Sequence, residues 1–502
     1  MGLGLLFLAS VGKENLYLSG NAEITYFKFI YKQYSNFSIE SMSQFFKTEA
    51  DFSRKITVNI SKNADLLSNS YLHVKLPSIP LSNHSYLPSG IKKFKWIDKI
   101  GFGLIKYIDL EIGGILIDRI NGEYLNLLYE LDRYQFSDGY NKMIGNVEEL
   151  TNYSNSKDSY SLDIPIQFWF HKNYKLALPL VALYHSDIKI HVEFNNINKC
   201  YMESPTHYIT ISNSFCLFKE NEIIKQEIDG NISIGRFCYF DVTYRRLYFD
   251  KIYNDFIIPT STNNILYNIK GTDTEFEAIV TSTSSLIKDE SYFTNNLPSI
   301  ELSYLILDYI YLDNTERFKY INNEITYVVP VLDIIPEKKI FSINSDYKLD
   351  CLNNPTKLLI WRTQLLSNYN SNDLFNYSSY PVDLNSTEIL NNIHLVINSI
   401  NREEISFTKF YNILQVYYNE LYAIKNGIYV YSFGLESNRF NQSFLINDSS
   451  GYCNFNKISD AYLQLSFNKL ISYKNPVLLK GYAISLNLFK VNNGLGQLVF
   501  YN

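Results

Sequence analysis

The chain has 502 residues, too many for one ordinary core, and its simplest division is two consecutive domains of about 250 residues each. Hydrophobic residues make up 46% and aromatics 16%, with 43 Tyr and 33 Phe, which excludes a disordered chain and supplies both cores and strands. The 45 Lys+Arg against 51 Asp+Glu give a formal charge of −6, which argues against direct nucleic-acid binding.

The N-terminal stretch "MGLGLLFLASVG" is apolar for barely a dozen residues and has no basic flank. It is too short to span a bilayer, so residues 1–23 are expected to form an arm. Gly2 follows Met1, but Leu6 stands where a myristoylation motif wants Ser or Thr. Sequons such as Asn36-Phe37-Ser38 and Asn83-His84-Ser85 carry no meaning without secretion.

Beyond the arm the hydrophobic period is mostly two. Short strands are predicted in "RKITVNI" and "YLHVKL", and the basic cluster Lys92, Lys93 and Lys95 around Phe94 reads as a solvated loop. In "KYIDLEIGGILIDRI", Ile108, Leu110 and Ile112 alternate with Tyr107, Asp109 and Glu111. Gly113-Gly114 then permits positive φ, which predicts a tight hairpin. A helix follows in "GEYLNLLYELDRYQF", where Leu125, Leu128, Tyr129 and Leu131 share a face.

Further strands are predicted in "SDIKIHVEF", "HLVINSI", "GIYVYSF" and "AYLQLSF", separated by Asn, Ser, Gly or Pro. A short helix in "DNTERFKYI" has Asn314 or Thr315 as its expected cap. Many short strands and few helices predict an all-β chain of antiparallel sandwiches. The expected join is 221–236, giving a first domain over 24–225 and a second over 236–502, packed rigidly side by side.

The five cysteines, Cys200, Cys216, Cys238, Cys351 and Cys453, are odd in number, widely spaced and without a C-x-x-C pair, which fits a reduced intracellular folding compartment. Asp109 and Glu111 lie two apart, roughly 7 Å on one strand face, a spacing near that of a glycosidase pair. A polar outer face beside the Gly-Gly hairpin accounts for them better. His185 and His191 are roughly 20 Å apart at strand rise and cannot share a metal, so both are placed at a surface or interface.

Glu403 and Glu404 face opposite sides if extended, and Gly494 and Gly496 are too few for a phosphate-binding loop. Trp169 and Trp361 read as core anchors rather than ligand platforms, with loop carbonyls expected to accept from their indole N–H groups. The sequence therefore assigns no catalytic, cofactor-binding or metal residue.

The segment "LYLSGNAEITYFKFIYKQYSNFSIES" resembles the entry segment of the major capsid proteins of nucleocytoplasmic large DNA viruses. The resemblance continues through "DLEIGGILID" (109–118), the run over 164–194, "DYIYLDNTERFKYINNE" (308–324), "NPTKLLIW" (354–361), "GIYVYSFGLE" (427–436), "GYCNFNKISDAYL" (451–463) and the block over 481–502. It implies two tandem eight-stranded jelly rolls with a few short helices in loops, trimerised into a capsomer of nearly sixfold outline that tiles an icosahedral shell. The implied partners are the chain itself, neighbouring capsomers and minor capsid proteins, with the N-terminal arm near an inner membrane. The implied location is the virion, assembled in the host cytoplasm.

The chain departs from the family at Ala22-Glu23, where Pro-Gln is usual, at Lys32-Gln33-Tyr34, which replaces a more basic run, and at Gln497. Both the bulk capsomer protein and a diverged paralogue stay open. From a different class, a carbohydrate-binding or carbohydrate-active β-sandwich is the alternative.

Overall fold

The computed structural model describes Lys13 and residues 36–81, 92–132, 137–171, 173–258, 267–281, 286–288, 291–293, 297–380, 388–419, 421–422, 425–434, 451–468, 471–473 and 475–500. The expected arm over 1–23, apart from Lys13, lies outside them, as does most of the segment that opens the resemblance.

Alternation decides the first sandwich. In the strand Ile188–Phe194, Ile188, Ile190, Val192 and Phe194 are buried while Lys189, His191 and Glu193 face outward. Burying each of these large apolar side chains stabilises the fold by about 1.5–3 kcal/mol. This strand lies between Lys55–Asn59 and Ile105–Ile112, and the latter pairs with Ile115–Ile120 to complete a four-stranded antiparallel sheet. The predicted hairpin is there, with Gly113 at φ 59° and Gly114 at φ 83°. A bulge beyond Leu110 shifts the register, so Ile117 and Ile120 are both buried.

The facing sheet runs Phe37–Phe45, Leu302–Leu312, Leu66–Leu76, Tyr160–Pro165. Its second strand arrives from far along the chain, because the intervening residues build a separate seven-stranded antiparallel sheet. That sheet includes His207–Thr210, Ile223–Ile228, Asn231–Asp241 and Arg246–Tyr253, and it has its own core of Ile209, Ile224, Phe237, Leu247 and Phe249.

The expected join at 221–236 falls inside this sheet. Ile223–Ile228 and Asn231–Asp241 are the two arms of one hairpin, turned by Asp229 (φ 50°) and Gly230 (φ 76°). The change of pattern there lies within an excursion already under way at His207–Thr210, after which the chain returns to its first sandwich. Lys92 corrects an expectation. It is buried and donates from Nζ to the Pro205 carbonyl at 2.6 Å, and Lys93–Trp96 is a strand paired with Tyr201–Ser204 rather than a solvated loop.

The second sandwich sets Ile325–Ile340, Val477–Asn492, Pro355–Leu365 and Ile428–Ser432 against Asn344–Lys348, Ala461–Phe467, Leu390–Ile397 and Ile400–Asn401. The helix Asn314–Asn322 links the two sandwiches and buries none of its residues. Its cap is Asp313, which accepts from the Glu316 amide at 2.9 Å, and not Asn314 or Thr315.

The sandwiches share apolar packing. Val329, Ile360, Tyr482 and Phe489 of the second belong to the same buried cluster as Leu72, Ile108 and Val192 of the first. Among the described residues no helix is long and apolar enough to cross a membrane.

Candidate functional site

The most elaborate polar arrangement lies at the junction of the sandwiches, around the helix Gly122–Leu131. This helix starts where Asn121 accepts from the Tyr124 amide at 2.7 Å. It is not amphipathic in the expected sense, because it is buried on nearly every side, including Asn126 and Glu130. Its polar side chains must therefore find partners inside the protein.

Glu123 finds them in the second sandwich. Its carboxylate accepts from Nε of Arg362, from Nζ of Lys480 at 2.9 Å and from the Tyr482 hydroxyl at 2.7 Å. Arg362 also donates to Glu337 at 2.8 Å and to the Leu478 carbonyl at 3.0 Å, so its guanidinium is tied at three nitrogens. Burial alone would raise the Glu123 carboxyl, but Arg362 and Lys480 outweigh it and bring it down to about 2. The same burial, next to Glu123, pushes the Tyr482 hydroxyl far above its ordinary value.

A second cluster sits one to two helical turns further on, at Asn126 and Glu130. Lys99 donates to Glu130 and, at 2.6 Å, to Asn126, with its ammonium 4.8 Å from the centre of the Tyr129 ring. Burial lowers the Lys99 amine to about 8 against the pull of Glu130. Lys425 of the second sandwich reaches Glu130 at 3.2 Å, and Asn126 donates to the Tyr377 hydroxyl at 3.3 Å. Both clusters thus cross the junction and fix the angle between the sandwiches.

The residues singled out in the sequence are dispersed. Asp109 is buried and held by both Nε and Nη2 of Arg119, at 2.7 and 2.8 Å. Glu111 instead contacts His191 and Lys189, each at 3.0 Å, and these hydrogen bonds lower its pKa. The two carboxylates are each tied to their own cationic partners, Asp109 to Arg119 and Glu111 to Lys189, which argues against a glycosidase pair.

His185 lies at an interface within the chain. Its amide donates to the Gly494 carbonyl at 3.1 Å, and Ser186 Oγ donates to the same oxygen at 3.2 Å while accepting from the Gly496 amide at 3.3 Å. Gly494 and Gly496 thus form a turn latched onto the first sandwich. Glu403 accepts from the Tyr431 hydroxyl at 2.7 Å, and Glu404 is exposed.

Trp361 is buried between Tyr411 and Tyr429, while Trp169 contacts Phe489 at 5.6 Å across the junction. Both anchor the core, but neither indole nitrogen finds the expected acceptor among the described residues. All five cysteines are free. Among the described residues no three His, Cys, Asp or Glu converge as metal ligands.

Residues 25–223 match the family model described as the major capsid protein N-terminus, and residues 316–497 match that of the large eukaryotic DNA virus major capsid protein. The chain belongs to the major capsid protein family of large eukaryotic DNA viruses. It is 31% identical over 521 aligned positions to the Probable capsid protein 4 of Acanthamoeba polyphaga mimivirus, covering 100% of this chain and 99% of that one. It is 25% identical over 610 positions to the major capsid protein of Phaeocystis pouchetii virus, covering all of both.

Among solved structures, the Faustovirus major capsid protein superposes with a TM-score of 0.66 at 12% identity, covering 96% of this chain and 94% of that one. PBCV-1 VP54 superposes at 0.61 with 17% identity, covering 95% and 100%. At such identities the likeness concerns the fold, which is the double jelly roll.

For a major capsid protein, the junction is the part that sequence reasoning missed. Its signal was present in "KLLIWRTQLL": a charged Arg362 within an apolar strand demands a buried counter-charge. What the strand does not show is that Glu123 supplies it.

Proposed function

We propose that the chain is a shell-forming capsid protein whose role is assembly rather than catalysis. Three copies associate about a threefold axis, so that two like sandwiches per chain present six similar units to their neighbours. The observation that carries this reading is the rigid union of two jelly rolls in one chain through a shared core and two buried ion clusters. A capsomer can approximate hexagonal packing with three chains only if the sandwiches hold a fixed angle.

Exposed apolar side chains supply candidate lateral surface: Phe37, Ile39 and Phe45 on an edge strand, and Phe318 and Ile321 on the exposed linking helix. An obligate interface of this kind covers on the order of 2,000 Å² or more. The first jelly roll takes residues up to Leu312 and the second begins at Ile325, with the seven-stranded sheet as an excursion of the first. Minor capsid proteins join the capsomers, and the N-terminal arm faces the inner side of the shell near a membrane, without direct contact to nucleic acid. The protein is a virion component assembled in the host cytoplasm.

A second reading has its own support. One virus carries relatives named Probable capsid protein 4 and Capsid protein 1, and the chain matches the former over its whole length but the latter over 41% of its own. The chain then fills a subset of shell positions as a paralogue. Light scattering on the purified protein tests the common core of both readings, with a stable species of three protomer masses as the expected result. A well-folded monomer across the micromolar range overturns it.

A further inference from the structure

Lys99, Asn126 and Glu130 are placed for chemistry as well as for charge balance. Lys99 stands at the start of the helix Ile100–Leu104 with φ 53°, in the left-handed region that a non-glycine residue rarely takes. From there its Nζ donates to Asn126 Oδ1 at 2.6 Å and to Glu130 Oε1. Asn126 and Glu130 are four apart on the helix Gly122–Leu131 and so share a face. All three side chains are shut off from solvent, with Lys99 3% exposed, Glu130 1% and Asn126 0%.

These are the parts of an acyl transfer. With a C=O bond of about 1.2 Å, the Asn126 amide carbon lies within about 4 Å of the lysine nitrogen, near the separation from which two groups react. Burial outweighs the pull of Glu130 and lowers the Lys99 amine to about 8, so a fraction of molecules carries a neutral nucleophile at neutral pH. Glu130 touches that nitrogen through Oε1, while its Oε2 is buried with no hydrogen-bond partner among the described residues. Asn126 Nδ2 points to the Tyr377 hydroxyl, donating at 3.3 Å. The rings of Tyr129 and Phe375, 4.8 and 5.5 Å from the lysine nitrogen, exclude water that would compete as nucleophile. Nothing has to enter, because nucleophile, acyl group and proton carrier all belong to the chain.

We propose that Lys99 and Asn126 become joined by an isopeptide bond, with Glu130 carrying the protons. The lysine ammonium passes one proton to Glu130, and the electron pair so freed forms the bond from Nζ to Cγ while the amide oxygen holds the displaced pair. As that carbonyl re-forms, the Cγ–Nδ2 bond breaks and its electron pair leaves with Nδ2, which takes up the second lysine proton and departs as ammonia. Ammonia then removes the first proton from Glu130 as ammonium and restores the carboxylate. Nothing is oxidised or reduced. Lys425 reaches Glu130 at 3.2 Å with a side chain 63% exposed, so solvent is near for the departing ammonium. By favouring the carboxylate form of Glu130, Lys425 also slows the first transfer, which makes this a slow step performed once per molecule. Where the bond has not formed, the groups remain the ion cluster described above. The bond ties the helix that carries Glu123 to the corner at Lys99, whatever the oligomeric state.

Intact-mass spectrometry of the full chain, followed by tandem sequencing of its proteolytic fragments, tests the assignment. The chain is expected to be lighter than its sequence by one molecule of ammonia, and a branched fragment should join the Lys99 peptide to the Asn126 peptide. Lys99→Arg and Asn126→Ala should each restore the full mass. Because these substitutions can disturb folding, Glu130→Gln is the second arm: it keeps the side chain's shape and both reacting groups, so it should fold by circular dichroism yet lose the branched fragment. The natural chain decides the bond without any variant. Full mass and no branched fragment after days at neutral pH overturn the proposal. Ammonia lost without a fragment joining these two residues overturns it equally, and a full yield of that fragment from Glu130→Gln overturns the role of Glu130.

Discussion

Arg362, on a central strand of the second sandwich, donates from Nε to the carboxylate of Glu123, in the first turn of a helix belonging to the first. The two lie 239 positions apart in the chain, yet the guanidinium is 3% exposed and has no solvent to fall back on. Breaking one side of such a pair leaves the other charge buried. Arg362→Met is expected to destabilise the protein by about 3–5 kcal/mol in chemical denaturation. A loss below about 1 kcal/mol, the scale of a surface pair, would show that Lys480 alone suffices for Glu123.

The same carboxylate predicts a pH dependence. Its folded-state pKa is about 2, below the ordinary 4.5, so between those values the unfolded chain holds a proton that the folded chain does not. The stability it contributes is therefore fully present above about pH 4.5 and is lost as the pH falls towards 2. The full effect is about 3 kcal/mol. Melting temperatures measured across this window should fall steeply for the natural sequence and less steeply for Glu123→Gln. Parallel curves would assign acid sensitivity to other groups.

Two glycines that share a backbone conformation should respond differently to alanine. Gly114, at φ 83°, has open space around an added Cβ, whereas at Gly494, at φ 79°, the Cβ would stand 2.8 Å from the Tyr184 ring and 2.9 Å from His185. Gly114→Ala should cost only the conformational strain, about 1 kcal/mol. Gly494→Ala should cost more and should loosen the latch between the C-terminal turn and the first sandwich. Thermal unfolding ranks the two, and equal losses would mean that Tyr184 and His185 move aside freely.

The Lys99–Glu130 pair allows a test of coupling. Lys99→Met and Glu130→Leu should each destabilise, because each leaves a buried charge behind. The double variant should be more stable than the sum of the single losses predicts, by about 1–3 kcal/mol in a double-mutant cycle. Strict additivity would show that Lys425 and Asn126 replace the missing partner.

Much of this architecture was legible. The strand Ile188–Phe194 and the Gly113-Gly114 turn announce themselves because their signals are local: a period of two, and a pair of residues free to take positive φ. The Asp229-Gly230 turn carries the same kind of signal, yet a domain boundary was expected there, because a change in composition looks alike whether a chain enters a new domain or a long excursion. The pairing of Leu302–Leu312 with Phe37–Phe45 was not legible, since alternation tells which face of a strand is buried and is silent on its neighbour. The cap at Asp313 was missed by one position although Asp313 and Glu316 have the spacing of a helix start. The junction was hidden for a related reason: an isolated inward charge reveals that it has a partner, but not where in the chain that partner lies.

The late arrival of Leu302–Leu312 sets the order in which the protein can be made. This strand sits between Phe37–Phe45 and Leu66–Leu76, so a chain released from the ribosome at residue 225 would leave both edges unpaired and open to aggregation. The second sandwich waits longer still, because Val477–Asn492 occupies the middle of its sheet, between Ile325–Ile340 and Pro355–Leu365. A nascent chain short of that strand has no completed second sandwich and no Lys480 or Tyr482 to receive Glu123.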